Sequence, residues 1–183
     1  RGTGSESYRS ISVKVKQNVL IKVIGKGGTP ARALALSDGG GVPLSTQEFG
    51  STADLGEYTY ETDSEKTLYL YSRNSGISIY KIEVWATGGS GGSEETTTET
   101  TTENVTENTT ESVTETKAPD YSLDLGDANA GEISENTTVG NINVLANPQN
   151  KVIVTDVNEV YNGTEYKKAL SLTSNGSVNA GAL

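Results

Sequence analysis

Asp120, Asp124, Asp127 and Glu132 form the densest acidic group outside a Thr/Glu-rich stretch, and closely spaced carboxylates are the chemistry of calcium binding. They follow no EF-hand spacing, and solvated turn carboxylates are the plainer reading. Tyr58, Tyr60, Tyr69, Tyr71 and Tyr80 offer ring faces on which a sugar could stack. Alternation, however, puts Tyr58 with Tyr60, and Tyr69 with Tyr71, on shared strand faces, which favours cross-strand packing. Trp85 ends the same run, either capping a core or exposed at the domain end. Glycosidase chemistry needs two opposed carboxylates in a cleft, and no pair is marked by spacing. The GKGG at Gly25–Gly28 lacks the Walker pattern and its helix, so it is no phosphate loop.

The 183 residues include no histidine and no cysteine. Disulfides, Cys/His zinc sites and thiol–histidine or serine–histidine catalysis are therefore excluded. The chain is expected to be non-enzymatic, with no metal and no cofactor. Net charge is −10, but its distribution is uneven. Residues 1–87 carry ten basic and nine acidic groups, residues 88–117 one Lys and seven Glu, and residues 118–183 three basic and eight acidic groups. Nucleic acid is a poor partner for such a chain. No apolar run is long enough to span a bilayer as a helix, so membrane insertion is not expected.

The elements that must position these residues are strands. In SISVKVK, Ile11, Val13 and Val15 alternate with Ser12, Lys14 and Lys16, which predicts one wet face. Asn18 marks a turn into VLIKVIG, with Val19, Ile21 and Val23 on one side and Leu20, Lys22 and Ile24 on the other. ARALALS, a short VPLST piece after Gly39–Gly41, EYTYET, TLYLYS and ISIYKIEVW complete the first series, and RNSG at Arg73–Gly76 predicts a hairpin. YSLDL, VGNINVLA, KVIVTDV and TEYKKALSLTS supply about four weaker strands after residue 117, with turns at Asn147-Pro148 and Asn162-Gly163. Residues 88–117 have no aromatic residue and little apolar surface to repay the entropy of ordering, so they read as a linker. Neither flanking segment has a sufficient core alone. The expectation is one all-β, antiparallel, jelly-roll-like sandwich built from both, monomeric or closed by exchange between two chains.

YRSISVKVK at Tyr8–Lys16, ARALAL at Ala31–Leu36 and LYLYSRNSGISIYKIEV at Leu68–Val84 resemble the small β-sandwich modules appended to bacterial pectate lyases, including the homogalacturonan-binding carbohydrate-binding module family 77. KVIVTDVNEVYNGTEYKKALSL at Lys151–Leu172 resembles the opening half of that family. The order here is permuted. The family's closing half corresponds to residues 1–87 and its opening half to residues 118–183, as in a circular permutant or a piece cut across a tandem array.

The resemblance implies a non-catalytic module that binds an acidic plant cell-wall polysaccharide beside a parent catalytic domain, in a secreted, extracellular bacterial protein. It singles out Arg9, Arg32, Arg73 and Lys168, because a polymer of galacturonate is recognised by cations that pair with carboxylates. The plain alternative is that these four solvate strand faces and protect edges, as Lys14, Lys16, Lys22 and Lys66 do. At the level of the whole chain, the alternative is a structural or adhesive sandwich of a bacterial surface protein.

Overall fold

A computed structural model describes residues 3–88, 118–125, 128–139 and 142–172. The first segment forms β1 (Ser10–Val15), β2 (Asn18–Lys26), β3 (Arg32–Ser37), β4 (Ser45–Phe49), β5 (Asp54–Tyr60), β6 (Lys66–Ser72) and β7 (Ser78–Gly88). The last segment adds β8 (Tyr121–Asp124), β9 (Gly131–Ile133), β10 (Thr137–Val139), β11 (Ile142–Leu145), β12 (Val152–Tyr161) and β13 (Thr164–Ser171). The anticipated linker and Asp127 lie outside the described residues, apart from Gly88 at the end of β7.

The strands form an all-β antiparallel sandwich. One sheet runs β10-β11-β1-β6-β3-β4; the other runs β5-β2-β7-β13-β12-β9, with β8 also against β7. Strands from both chain segments therefore stand side by side in each sheet. In the first sheet Ile11 pairs with Leu70 on β6 and with Val144 on β11. In the second, Ile79 pairs with Leu170 and Ile82 with Leu123. The inward residues of both segments make one cluster, from Ile11, Val13, Ile21, Val23, Leu34, Leu36 and Leu70 to Leu123, Val144, Val154 and Leu170.

Four sequence expectations need correction. Ser12 is buried at 4% exposure rather than wet, although Lys14 on the same face stays exposed as expected. The strand expected at VPLST begins at Ser45, leaving Val42 and Leu44 exposed. The last segment holds six described strands instead of about four, since GEI pairs with β12 and VGNINVLA divides into the β10–β11 hairpin. RNSG is not a hairpin turn. β6 and β7 lie in different sheets, so Arg73–Gly76 carries the chain across the sandwich, and the N–H of Arg73 is held by the Ala33 carbonyl at 2.9 Å. Local turn chemistry is blind to this, because Leu70 and Ile77 on either side both enter the shared core.

The two ends of the described chain converge on that crossing. Gly4 donates its N–H to the Ser72 carbonyl at 2.7 Å, and Leu172 donates to the Ile77 carbonyl at 2.9 Å.

Residues 1–87 alone would lose β11 from one side of β1, and β8 and β13 from one side of β7. That fragment is expected to give no cooperative melt and to associate through its bared edges. A sharp monomeric unfolding transition in calorimetry would contradict the shared core.

Candidate functional site

Hydrogen-bond register brings three of the four singled-out cations to one end of the six-stranded sheet. β1 and β6 pair Ser10 with Tyr71, and β6 and β3 pair Ser72 with Leu34. Arg9 just precedes β1, Arg73 just follows β6, and Arg32 opens β3, so all three sit where these neighbouring strands share an end. Each is fixed differently. Arg73 is exposed. Arg32 is half-buried beside Gly27 and Gly28, where a Cβ on Gly27 would stand 2.8 Å from that of Arg32. A side chain at 27 would thus push Arg32 off its seat.

Arg9 is buried, with φ +49, a left-handed backbone that costs an ordinary residue free energy. Its Nη1 donates to the Thr3 carbonyl at 3.3 Å and its guanidinium lies 5.9 Å from the Tyr8 ring centroid. Its Nε is buried without an acceptor.

Carboxylates are distributed selectively around the cations. Lys14, Lys16, Lys22, Lys26, Lys81, Lys151, Lys167 and Lys168 each have an Asp or Glu oxygen within ion-pair distance. Among the described residues no ion pair involves Arg9, Arg32, Arg73 or the exposed Lys66 on β6. The nearest acidic influence is felt by Tyr71, whose hydroxyl is pushed up first by burial and then by Glu6, with Arg73 opposing. The three arginines thus share a sheet end without carboxylate partners of their own, with Arg32 on the Leu34 side of the sheet and Arg73 opposite Ala33 on the other. Planar forks in that condition suit a ligand that brings its own carboxylates.

Lys168 belongs to a different place. It lies on β13 in the other sheet, opposite and ion-paired with Asp156 on β12. The register slips here, with Val157 and Asn158 together facing Lys167 alone. Such a bulge resets the alternation, so Asp156 and Glu159 share a face although three residues apart. Glu159 then pairs across the ladder with Tyr166, takes the Lys26 ammonium at 2.7 Å and accepts from the Tyr80 hydroxyl at 3.3 Å. Tyr80 and Tyr166 meet as a tilted pair with centroids 5.7 Å apart. Sequence pattern missed Lys26, Glu159 and Tyr166, because a bulge leaves no mark in composition.

The other tyrosines mostly pack. Tyr58 is fully buried and donates to the Leu34 carbonyl at 2.9 Å; Tyr60 donates to Asp38 at 3.2 Å. Trp85 is half-buried with its Nε1 lacking an acceptor. In the acidic group, Asp120 accepts from the Ala86 N–H at 2.5 Å and Glu132 pairs with Lys151. Among the described residues no set of three or more His, Cys, Asp or Glu could hold a metal ion. No helix among them is long and apolar enough to cross a membrane. No protein-family model and no curated protein sequence matches the chain.

Burial raises the pKa of Tyr58, and burial followed by the charge and hydrogen bond of Glu159 raises that of Tyr80. A tyrosine whose pKa is higher folded than unfolded stabilises fully below its unfolded value of about 10, and that stability is lost as pH rises through the folded values. Thermal midpoints should therefore fall from about pH 10 upward. Tyr80→Phe should postpone part of that fall. A midpoint indifferent to pH up to 11.5 (measured against about 10 for free tyrosine) would refute the assignment.

Proposed function

We propose that the chain is a non-catalytic carbohydrate-binding module for de-esterified homogalacturonan, an accessory to a pectate lyase in a secreted bacterial protein. The observation that carries this reading is the partition of cations. Eight of the nine described lysines have an ion pair, Lys66 being the exception, whereas Arg9, Arg32 and Arg73 share one sheet end without any. The resemblance of Tyr8–Lys16, Ala31–Leu36 and Leu68–Val84 to pectate-lyase modules concerns the strands that bear these arginines. The permuted order is supported by the approach of Gly4 and Leu172 to the two ends of one short crossing.

Arg73 and Arg32 are the contact groups in this reading. Arg9 shapes the rim from within, and Lys168 would contribute only after leaving Asp156. The burial of Arg9 favours a second reading, a structural or adhesive sandwich of a bacterial surface protein. In it the arginines serve packing.

Calorimetry against polygalacturonate, highly methyl-esterified pectin and a neutral glucan separates the two. Binding is expected to polygalacturonate alone among the three, and to weaken as salt rises from about 0.05 to 0.5 M, because exposed charge pairing is screened. Arg73→Ala should lower affinity about three- to tenfold, the worth of one exposed charged contact, with the melting curve unchanged. Equal binding to polygalacturonate and neutral glucan would remove the charge mechanism. Unfolding of Arg32→Ala would make that residue structural.

A further inference from the structure

The outer face of the six-stranded sheet is lined by small residues. Leu34, Leu36 and Ile11 turn into the core, so alternation puts Ala33, Ala35, Ser37, Ser10 and Ser12 on the opposite side, yet all five are buried. Residues 3–9 cross that face. Gly4 is tied to Ser72, and the Ser10 hydroxyl donates to the Glu6 carbonyl at 3.4 Å. The Glu6 carboxylate reaches the far end of β3, where Oε1 accepts from the Ser37 hydroxyl and from the Gly41 N–H at 2.9 Å. Ser37 Oγ accepts in turn from the Gly39 N–H at 3.2 Å. Gly39 and Gly41 have φ +97 and +75, so the glycine run turns these amides toward the strap at little steric cost.

This is a built carboxylate site. Its donors are a fully buried hydroxyl and a main-chain amide on a loop shaped for them. No cation among the described residues pairs with Glu6. A second carboxylate could take the same donors without loss of a salt bridge. Tyr71, on the same outer face, has its hydroxyl pushed up first by burial and then by the Glu6 charge, with Arg73 opposing.

We propose that the Ser37–Gly41 pocket is a uronate-carboxylate subsite that Glu6 occupies in the free protein, so that Glu6 acts as an intramolecular competitor and sets the apparent affinity. This rests on the homogalacturonan reading. A tethered carboxylate competes at an effective concentration of order millimolar. Removing it makes the binding-competent form the resting one, which tightens binding by the fraction that was blocked.

The test uses the full chain with Glu6→Ala, and Glu61→Ala as a control that deletes an exposed carboxylate elsewhere, one that pairs with no cation among the described residues. Glu6→Ala should melt lower than wild type. Sodium acetate at about 0.1 M should restore much of the loss where sodium chloride of equal ionic strength does not, and the rescue should vanish when Ser37→Ala is added. Glu6→Ala should also bind polygalacturonate about three- to tenfold tighter, from release of the competitor, with Glu61→Ala changing it less than about twofold. If the alanine variant does not fold, Glu6→Gln keeps a carbonyl acceptor and should still bind tighter than wild type. Absence of acetate rescue, or unchanged or weaker polymer binding beside a wild type that binds, overturns the proposal. Acetate rescue with no polygalacturonate binding by either protein overturns the binding-module reading and leaves the carboxylate pocket standing.

Discussion

Strand β1 needs a partner on each side, and the two partners come from opposite ends of the chain. β6 belongs to the first segment and β11 to the last. β7 has the same requirement, met by β2 on one side and by β8 and β13 on the other. A buried strand with one bare edge leaves a row of unpaired amides and carbonyls, which costs more than the sequence's modest apolar content could offset. Completion of these two central strands is therefore the constraint on which the rest depends. It fuses both segments into one core and fixes where β1, β3 and β6 end, and so where the arginines gather.

Departures from regular pairing then decide which polar groups meet. On β7 the register against β2 slips between Ile24 and Gly25, leaving Tyr80 as the extra residue beside Ile79. On β12 the slip at Val157 and Asn158 re-aims Glu159. The two irregularities converge, since the Tyr80 hydroxyl and the Glu159 carboxylate share one hydrogen bond, with Lys26 completing the set. This group fastens the hairpin of the last segment to β2 of the first, across a sequence separation of 133 residues. Its members are mutually satisfied, so it acts as a clasp between segments and offers a ligand little.

The strands were legible in the sequence wherever alternation was strong. Val19, Ile21 and Val23 face the core, Asn162 and Gly163 take φ +46 and +78 in the β12–β13 turn, and the segments share a sandwich as their separate apolar contents required. Sheet membership was not legible. Arg73–Gly76 has the composition of a hairpin turn, and only the need to bury Ile77 against the opposite sheet makes it a crossing. Ser12 could not be read as buried, because a serine beside lysine on a strand looks wet until residues 3–9 are seen to run over that face. For the site, residue type pointed to the arginines, but the resemblance chose them. Nothing local distinguishes Lys168, held by Asp156, from Arg73, held by no carboxylate. The Gly39–Gly41 run was visible as a turn, whereas its capture of Glu6 depends on a strap whose path no periodicity encodes.

The division between paired lysines and unpaired arginines has a physical sense beyond counting. A lysine is a compact, strongly hydrated point charge on a flexible stem, and an exposed pair with glutamate holds it at little net gain. Such pairs keep long cations from reaching nonspecifically toward polyanions. A guanidinium is less hydrated and presents fixed, planar donors, so leaving it uncompensated costs less and gives it direction. In the proposed reading, an acidic protein that pairs most of its lysines internally but leaves arginines at one sheet end repels bulk polyanions with its net charge while keeping a local seat for carboxylates. On that reading selectivity would lie in geometry, in whether successive carboxylates meet Arg32 and Arg73, rather than in total charge. That arrangement suits a ligand whose charges sit at a regular repeat, and it disfavours one whose only qualification is being negative.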